Sequence, residues 1–126
     1  MGMKPILACL LAFGAVSPTF AAATHDLVRK PGAAPTSCIQ ILGIRESQVR
    51  DDHTIDFVMN GRRTYRNVLP NSCPQLGFEK SFTYATSLSQ LCSTDIITVL
   101  IQGGGPGLTR GASCGLGQFQ EMEAAH

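Results

Sequence analysis

Three groups of residues carry side chains able to do chemistry, and each points to a different kind. Asp51, Asp52 and His53 are consecutive, two carboxylates and an imidazole, the residue types of acid–base catalysis or of a metal-dependent hydrolase. Arg62, Arg63 and Arg66 surround Tyr65, placing cations beside an aromatic ring as anion recognition requires. Cys9, Cys38, Cys73, Cys92 and Cys114 supply the thiols.

The acidic group is the weakest of the three. Neighbouring side chains on an extended chain point to opposite faces, so at most two of Asp51, Asp52 and His53 converge without a tight turn. A solvated polar turn is the expected reading, and a hydrolase or metal-dependent enzyme using this triplet is the alternative. The other two histidines, His25 and His126, stand far from it in the chain. No Gly-x-Ser-x-Gly elbow is present, and the glycine run beginning at Gly103 lacks the Gly-Lys-Ser/Thr ending of a phosphate loop. Asp95, three residues after Cys92, is expected to cap turn amides or to pair with an arginine such as Arg66.

The cysteines speak to compartment. Residues 1–23 form a leader: Lys4 supplies a positive start, residues 6–16 are largely apolar, and Pro18 precedes the small residues Ala21, Ala22 and Ala23. This is the pattern of a secretory signal peptide, too short in its apolar run for a membrane span. Cys9 ends a lipobox-like Ile6-Leu7-Ala8-Cys9, but only about four apolar residues precede it against the 7–15 of a signal core, so it is expected to leave with the leader. Four cysteines remain, an even number in an exported chain, and two disulfides follow. Three pairings are open. Cys73–Cys92 with Cys38–Cys114 is favoured, the first closing a short loop and the second clamping the ends of the domain. Intervals of 34, 18 and 21 residues contain none of the close pairs that zinc sites use. No metal and no cofactor is expected.

Charge narrows the partners of the arginines. Without the leader, nine basic residues balance nine acidic ones, whereas phosphate-neutralising proteins carry a basic excess. Nucleic acid is therefore not the expected partner; an ordinary charged loop tip is the first reading of these arginines, and an anionic envelope component or a partner protein is the ligand compatible with a binding role. The binding residues of this reading are Arg62, Arg63 and Arg66.

The positioning elements are read as strands. Residues 24–37, rich in proline, glycine and alanine, form a disordered or extended linker. A first β-type run covers residues 39–44. In residues 54–60, Ile55, Phe57 and Met59 alternate with polar neighbours, and Tyr65 with Leu69 continues that face on the return. Asn60-Gly61 suggests a two-residue turn, yet that turn would set Phe57 against Thr64 and Ile55 against Arg66. An odd loop, Met59-Asn60-Gly61 with Gly61 left-handed, keeps the apolar residues on one face and leaves Asp56 outside, beside or diagonal to Arg66. A short helical turn is placed near residues 74–80. Residues 82–86 and 88–92 read as further strands. Residues 96–101 read as a central strand buried on both faces, and Phe119 as a core plug in the closing strand. The expectation is an all-β domain over residues 38–120, a small disulfide-stapled barrel or half-open barrel of five to seven short antiparallel strands, with residues 121–126 as a tail.

The pattern Cys38…Thr54-Ile-Asp-Phe…Tyr65-Arg66-Asn67-x-Leu69-Pro70-x-x-Cys73-Pro74…Phe82-x-Tyr84…Leu91-Cys92-x-x-Asp95-x-Ile97…Cys114-Gly115-Leu116-Gly117-x-Phe119 resembles a family of small exported proteobacterial proteins, a domain of unknown function. The resemblance implies export and a compact disulfide-containing fold, and it brings no activity, cofactor or catalytic residue. The functional expectation rests on the residues alone: a periplasmic or secreted, non-catalytic binding or interaction module.

Overall fold

The computed structural model describes residues 26–103 and 106–125. The expected leader, with Cys9, and the histidines His25 and His126 lie outside them. The elements run in order as β1 (Leu27–Arg29), β2 (Cys38–Gln40), β3 (Ile44–Val49), β4 (Thr54–Met59), β5 (Thr64–Val68), α1 (Leu76–Glu79), β6 (Phe82–Tyr84), β7 (Gln90–Cys92), β8 (Ile96–Ile101), β9 (Thr109–Gly115) and β10 (Phe119–Ala124). Single 3-10 turns at Ile41–Gly43 and Asn60–Arg62 join β2 to β3 and β4 to β5. The fold is all-β and antiparallel, but the barrel is not formed. Three separate sheets stand in its place, ordered β1-β10-β5-β4-β3, β2-β7 and β6-β8-β9. The large sheet ends in edges that resist further pairing: β1 has only three residues, and β3 carries Arg45 and Glu46 at a register shift.

Stacking fills the interior that closure would otherwise have filled. Ile55, Phe57 and Met59 of β4 share one buried cluster with Ile97 and Val99 of β8, Ile39 of β2 and Leu91 of β7. Phe57 lies at the centre, edge-on to Phe119 of its own sheet at 5.6 Å and to Phe82 of the facing sheet at 6.2 Å. A phenylalanine this deeply buried contributes about 1.5–3 kcal/mol by removal from water, and the edge-to-face contacts add to it. Phe119 is the core plug that its sequence position suggested. The run 96–101 is the middle strand of its sheet, yet only one of its faces is covered: Ile97 and Val99 are buried and Ile96 is exposed. Its β-branched composition suits a strand with either one face or two covered, which is why composition misled.

The hairpin of β4 and β5 has the expected parity. Phe57 pairs with Tyr65, Ile55 with Asn67 and Asp56 with Arg66. The Met59 amide donates to the Arg63 carbonyl at 2.7 Å, so the loop is Asn60-Gly61-Arg62, one residue later than expected. The shift arises because Gly61 (φ 81°) and Arg62 (φ 66°) are both left-handed, a conformation that a sequence advertises at glycine and hides at arginine.

The disulfides are Cys38–Cys92 and Cys73–Cys114, not the favoured pairing. Cys38 and Cys92 sit directly opposite in the β2–β7 ladder with their Cα atoms 4.0 Å apart. Cys73, buried after the hairpin, reaches β9 and ties the large sheet to the three-stranded one. Clamping the chain ends, the role assigned to Cys38–Cys114, falls to backbone hydrogen bonds: β1 pairs with β10 from Leu27 opposite Ala124 to Arg29 opposite Met122. The described part of the linker is therefore anchored, with Thr36 bridged to Phe119, and the expected tail belongs largely to β10.

One close approach makes a sharp prediction. The buried Asn67 side chain forms two hydrogen bonds with Gly117, donating to its carbonyl at 2.7 Å and accepting from its amide at 2.8 Å. A Cβ on Gly117 would stand 2.3 Å from the Val68 carbonyl oxygen. Gly117→Ala must therefore push β10 from β5, and an unfolding free energy lower by about 3 kcal/mol is expected in urea titration.

Candidate functional site

The large sheet sorts the three candidate groups. On its outer face Arg66 lies across from Asp56, and its Nε and Nη2 donate to the carboxylate at 2.8 and 2.9 Å. Arg50, the residue after β3, adds an Nε donor at 2.8 Å. Asp56 was expected outside in a weak surface pair. It is fully buried, because the two guanidinium groups lie over its oxygens and close it from water. The hydrogen bond to Asp56 holds the Arg66 pKa above the ordinary arginine value. Arg66 is thus removed from the binding set and serves the fold.

Asp51, Asp52 and His53 form the turn between β3 and β4, where one carboxylate oxygen of each aspartate and the carbonyls of Asp52 and His53 accept backbone amides, and the His53 side chain is exposed. Asp51 Oδ1 accepts the His53 amide at 2.7 Å, and this bond holds its carboxyl below the usual range against a slight opposing effect of desolvation. Asp52 Oδ1 accepts the Gly77 amide of α1 at 2.7 Å, while its carbonyl takes the Cys73 amide and that of His53 takes Leu69. The triplet fastens the hairpin, α1 and the Cys73 segment to one turn. Among the described residues no group of three or more His, Cys, Asp or Glu side chains is placed to hold a metal ion. Asp95 caps as expected, its Oδ2 accepting the Cys92 amide at 2.7 Å.

What remains is the β4–β5 turn. Arg62 and Arg63 are exposed there, and among the described residues neither is drawn into an ion pair. Arg63 forms part of the wall of a cleft of about 310 Å³, together with Tyr65, Asn60 and Gln40. Met59, Ile39 and the Cys38–Cys92 bridge give that cleft its apolar side, and Gly43 borders it from the first 3-10 turn. The Gly43 approach is tight, since a Cβ there would meet Met59 Cε at 3.1 Å. The arrangement joins an apolar wall, the four neutral hydrogen-bonding side chains of Thr36, Gln40, Asn60 and Tyr65 and a guanidinium, a set suited to a ligand with one anionic and one apolar part. A second cleft of about 370 Å³ on the outer side of the three-stranded sheet contains Asp95 and Arg110, and there the acid is already committed to the Cys92 amide.

Arg62 and Arg63 are the sequence candidates that the structure leaves exposed at this turn, whereas Arg50, Asn67 and the cleft were not among the candidates. The signal for Arg50 was the hairpin parity itself: residues 50 and 54 flank the turn, which brings Arg50 toward Asp56 once β3 is recognised. No family model, curated protein or solved structure matches the chain.

Proposed function

We propose that the protein is an exported, non-catalytic binding module of the cell envelope, holding an anionic, partly apolar ligand in the cleft beside the β4–β5 turn. One observation carries this reading. Two of the outer-face arginines are consumed by Asp56, whereas Arg62 and Arg63 stand exposed without an ion-pair partner among the described residues, and Arg63 borders an apolar-walled cleft. Arg62 moreover occupies a left-handed backbone conformation that glycine would hold at lower cost, which supports a use for its side chain. Export is supported by the leader pattern and by two disulfides, which persist outside reducing compartments. Among the described residues no helix is long and apolar enough to cross a membrane.

The reading is tested by calorimetric titration of the disulfide-bonded protein with a water-soluble, short-chain phosphatidylglycerol kept monomeric. Binding is expected, and Arg62→Ala/Arg63→Ala should weaken it at least about tenfold, the equivalent of roughly 1.4 kcal/mol. Equal binding by the variant would remove the arginines from the site, and no heat from the wild type would remove the ligand class.

A further inference from the structure

We propose that the end of the molecule bearing the β4–β5 turn is a docking surface for anionic lipid bilayers; the inference rests on the anion-binding role given above to Arg62 and Arg63. Leu42, at the apex of the first 3-10 turn, is 89% exposed, and Leu88 is 65% exposed. The chain brings these two together. Gln40 pairs with Gln90, and the Ile41 amide donates to the Ser89 carbonyl at 3.0 Å, so Leu42 and Leu88 each lie one residue beyond this last bond, at the same end of the ladder. Ile44 in turn pairs with Met59, which sets the Ile41–Gly43 turn beside the Asn60–Arg62 turn. Two projecting leucines therefore share one end with Arg62 and Arg63, and the exposed Arg45, at the register shift of β3, adds a third cation. The next residue, Glu46, is hydrogen-bonded by Gln48 at 3.0 Å.

Single exposed leucines need no explanation, but two at the same end of the molecule as three arginines give that end both apolar and cationic character. The leucines project from turns instead of lining a hollow, so they suit a deformable acyl layer. The arginines complement the charge of an anionic headgroup plane. Each arginine near such a surface strengthens partition by about fivefold.

Vesicle flotation of the intact, disulfide-bonded protein tests the idea, using phosphatidylethanolamine with phosphatidylglycerol against phosphatidylcholine alone. The protein is expected to float with the anionic vesicles and to release in high salt. Leu42→Ser/Leu88→Ser should reduce that partition at least about tenfold while leaving titration with monomeric short-chain phosphatidylglycerol unchanged, since neither leucine borders the cleft. Both side chains are exposed, so the variant should unfold at the wild-type urea concentration. Flotation unaffected by the leucine substitutions, equal flotation with phosphatidylcholine, or no flotation at all would overturn the docking surface. If monomer binding persisted in those cases, the cleft reading would stand. Leucine-dependent flotation without monomer binding would uphold the surface and discard the cleft.

Discussion

Replacing both Cys73 and Cys114 with alanine should lower the unfolding free energy by about 4 kcal/mol, the chain-entropy value for a loop of 41 residues. Domains of this size are stable by about 5–15 kcal/mol, so the variant would lie near the threshold of folding at ordinary temperatures. The large effect has two sources. The bridge closes a long loop in the unfolded chain, and it also ties the segment after β5 to β9 of the three-stranded sheet, beside the packing around Phe57 that the two sheets share. Cys73 is fully buried, so alanine leaves a small void and serine would add an unsatisfied hydroxyl. The Cys38→Ala/Cys92→Ala variant tests the account, because its loop of 54 residues predicts a similar entropic loss. Its bridge lies within a ladder of three residues per strand, so that loss should appear first as opening of β2 and β7 in hydrogen exchange. An unfolding free energy within about 1 kcal/mol of the wild type for the Cys73/Cys114 variant would show that packing alone holds the sheets together.

The second large effect is expected at Asp56. Asp56→Ala should cost about 2–3 kcal/mol. Removing one member of a fully buried ion pair costs about 3–5 kcal/mol, and the cost is lower here because the arginine side chains are 41% and 27% exposed and can turn to water. Asp56→Asn keeps the shape and loses the charge, and should fall close to the alanine variant. A salt series separates this cluster from an ordinary surface pair. The half-exposed Lys30–Glu121 contact at 3.1 Å is screened by salt, whereas the carboxylate beneath Arg50 and Arg66 is not, so the Asp56→Ala cost should persist at high ionic strength. The sign on the alkaline side comes from Arg66. Its folded pKa is raised, so its contribution is complete below the ordinary arginine range and is lost only above it. A cost that vanished in salt would place Asp56 in solvent.

The parts of the fold that could be read in the sequence are those whose burial is one-sided and regular. Ile55, Phe57, Tyr65 and Leu69 set the hairpin parity because a slip by one residue would turn every one of them outward. β3 could not be read. It is an edge strand in which Val49 alone is buried, so its sequence Ile-Arg-Glu-Ser-Gln-Val carries no alternation. β1 and β10 were hidden for the same reason, and their pairing joins residues almost a hundred positions apart. Cysteine pairing is equally non-local: loop entropy favours short closures by little, and sheet neighbours decide the outcome. At the candidate site, Arg62 and Arg63 could be read because an Asn-Gly turn exposes the residues next to it. The cleft could not, since its apolar wall comes from β2, β4 and a 3-10 turn that no short sequence window connects. Asp56 was placed on the correct face with the wrong burial, because a polar residue on an outer face is buried only if a neighbour covers it, and Arg50 arrives from an unrecognised strand.

The two bridges interlock: Cys73 lies inside the loop closed by Cys38 and Cys92, and Cys114 lies outside it. This sets a demand on biogenesis. As the chain is synthesised, Cys38 and Cys73 become available before either native partner, and an oxidase acting in order of emergence would join them to each other. Reaching the native pattern from that species requires the Cys92 thiolate to attack the Cys38 sulfur and release the Cys73 thiolate, or the Cys114 thiolate to attack the Cys73 sulfur and release the Cys38 thiolate, after which the oxidase joins the two remaining thiols. Maturation of this small domain is therefore tied to a disulfide-exchange step.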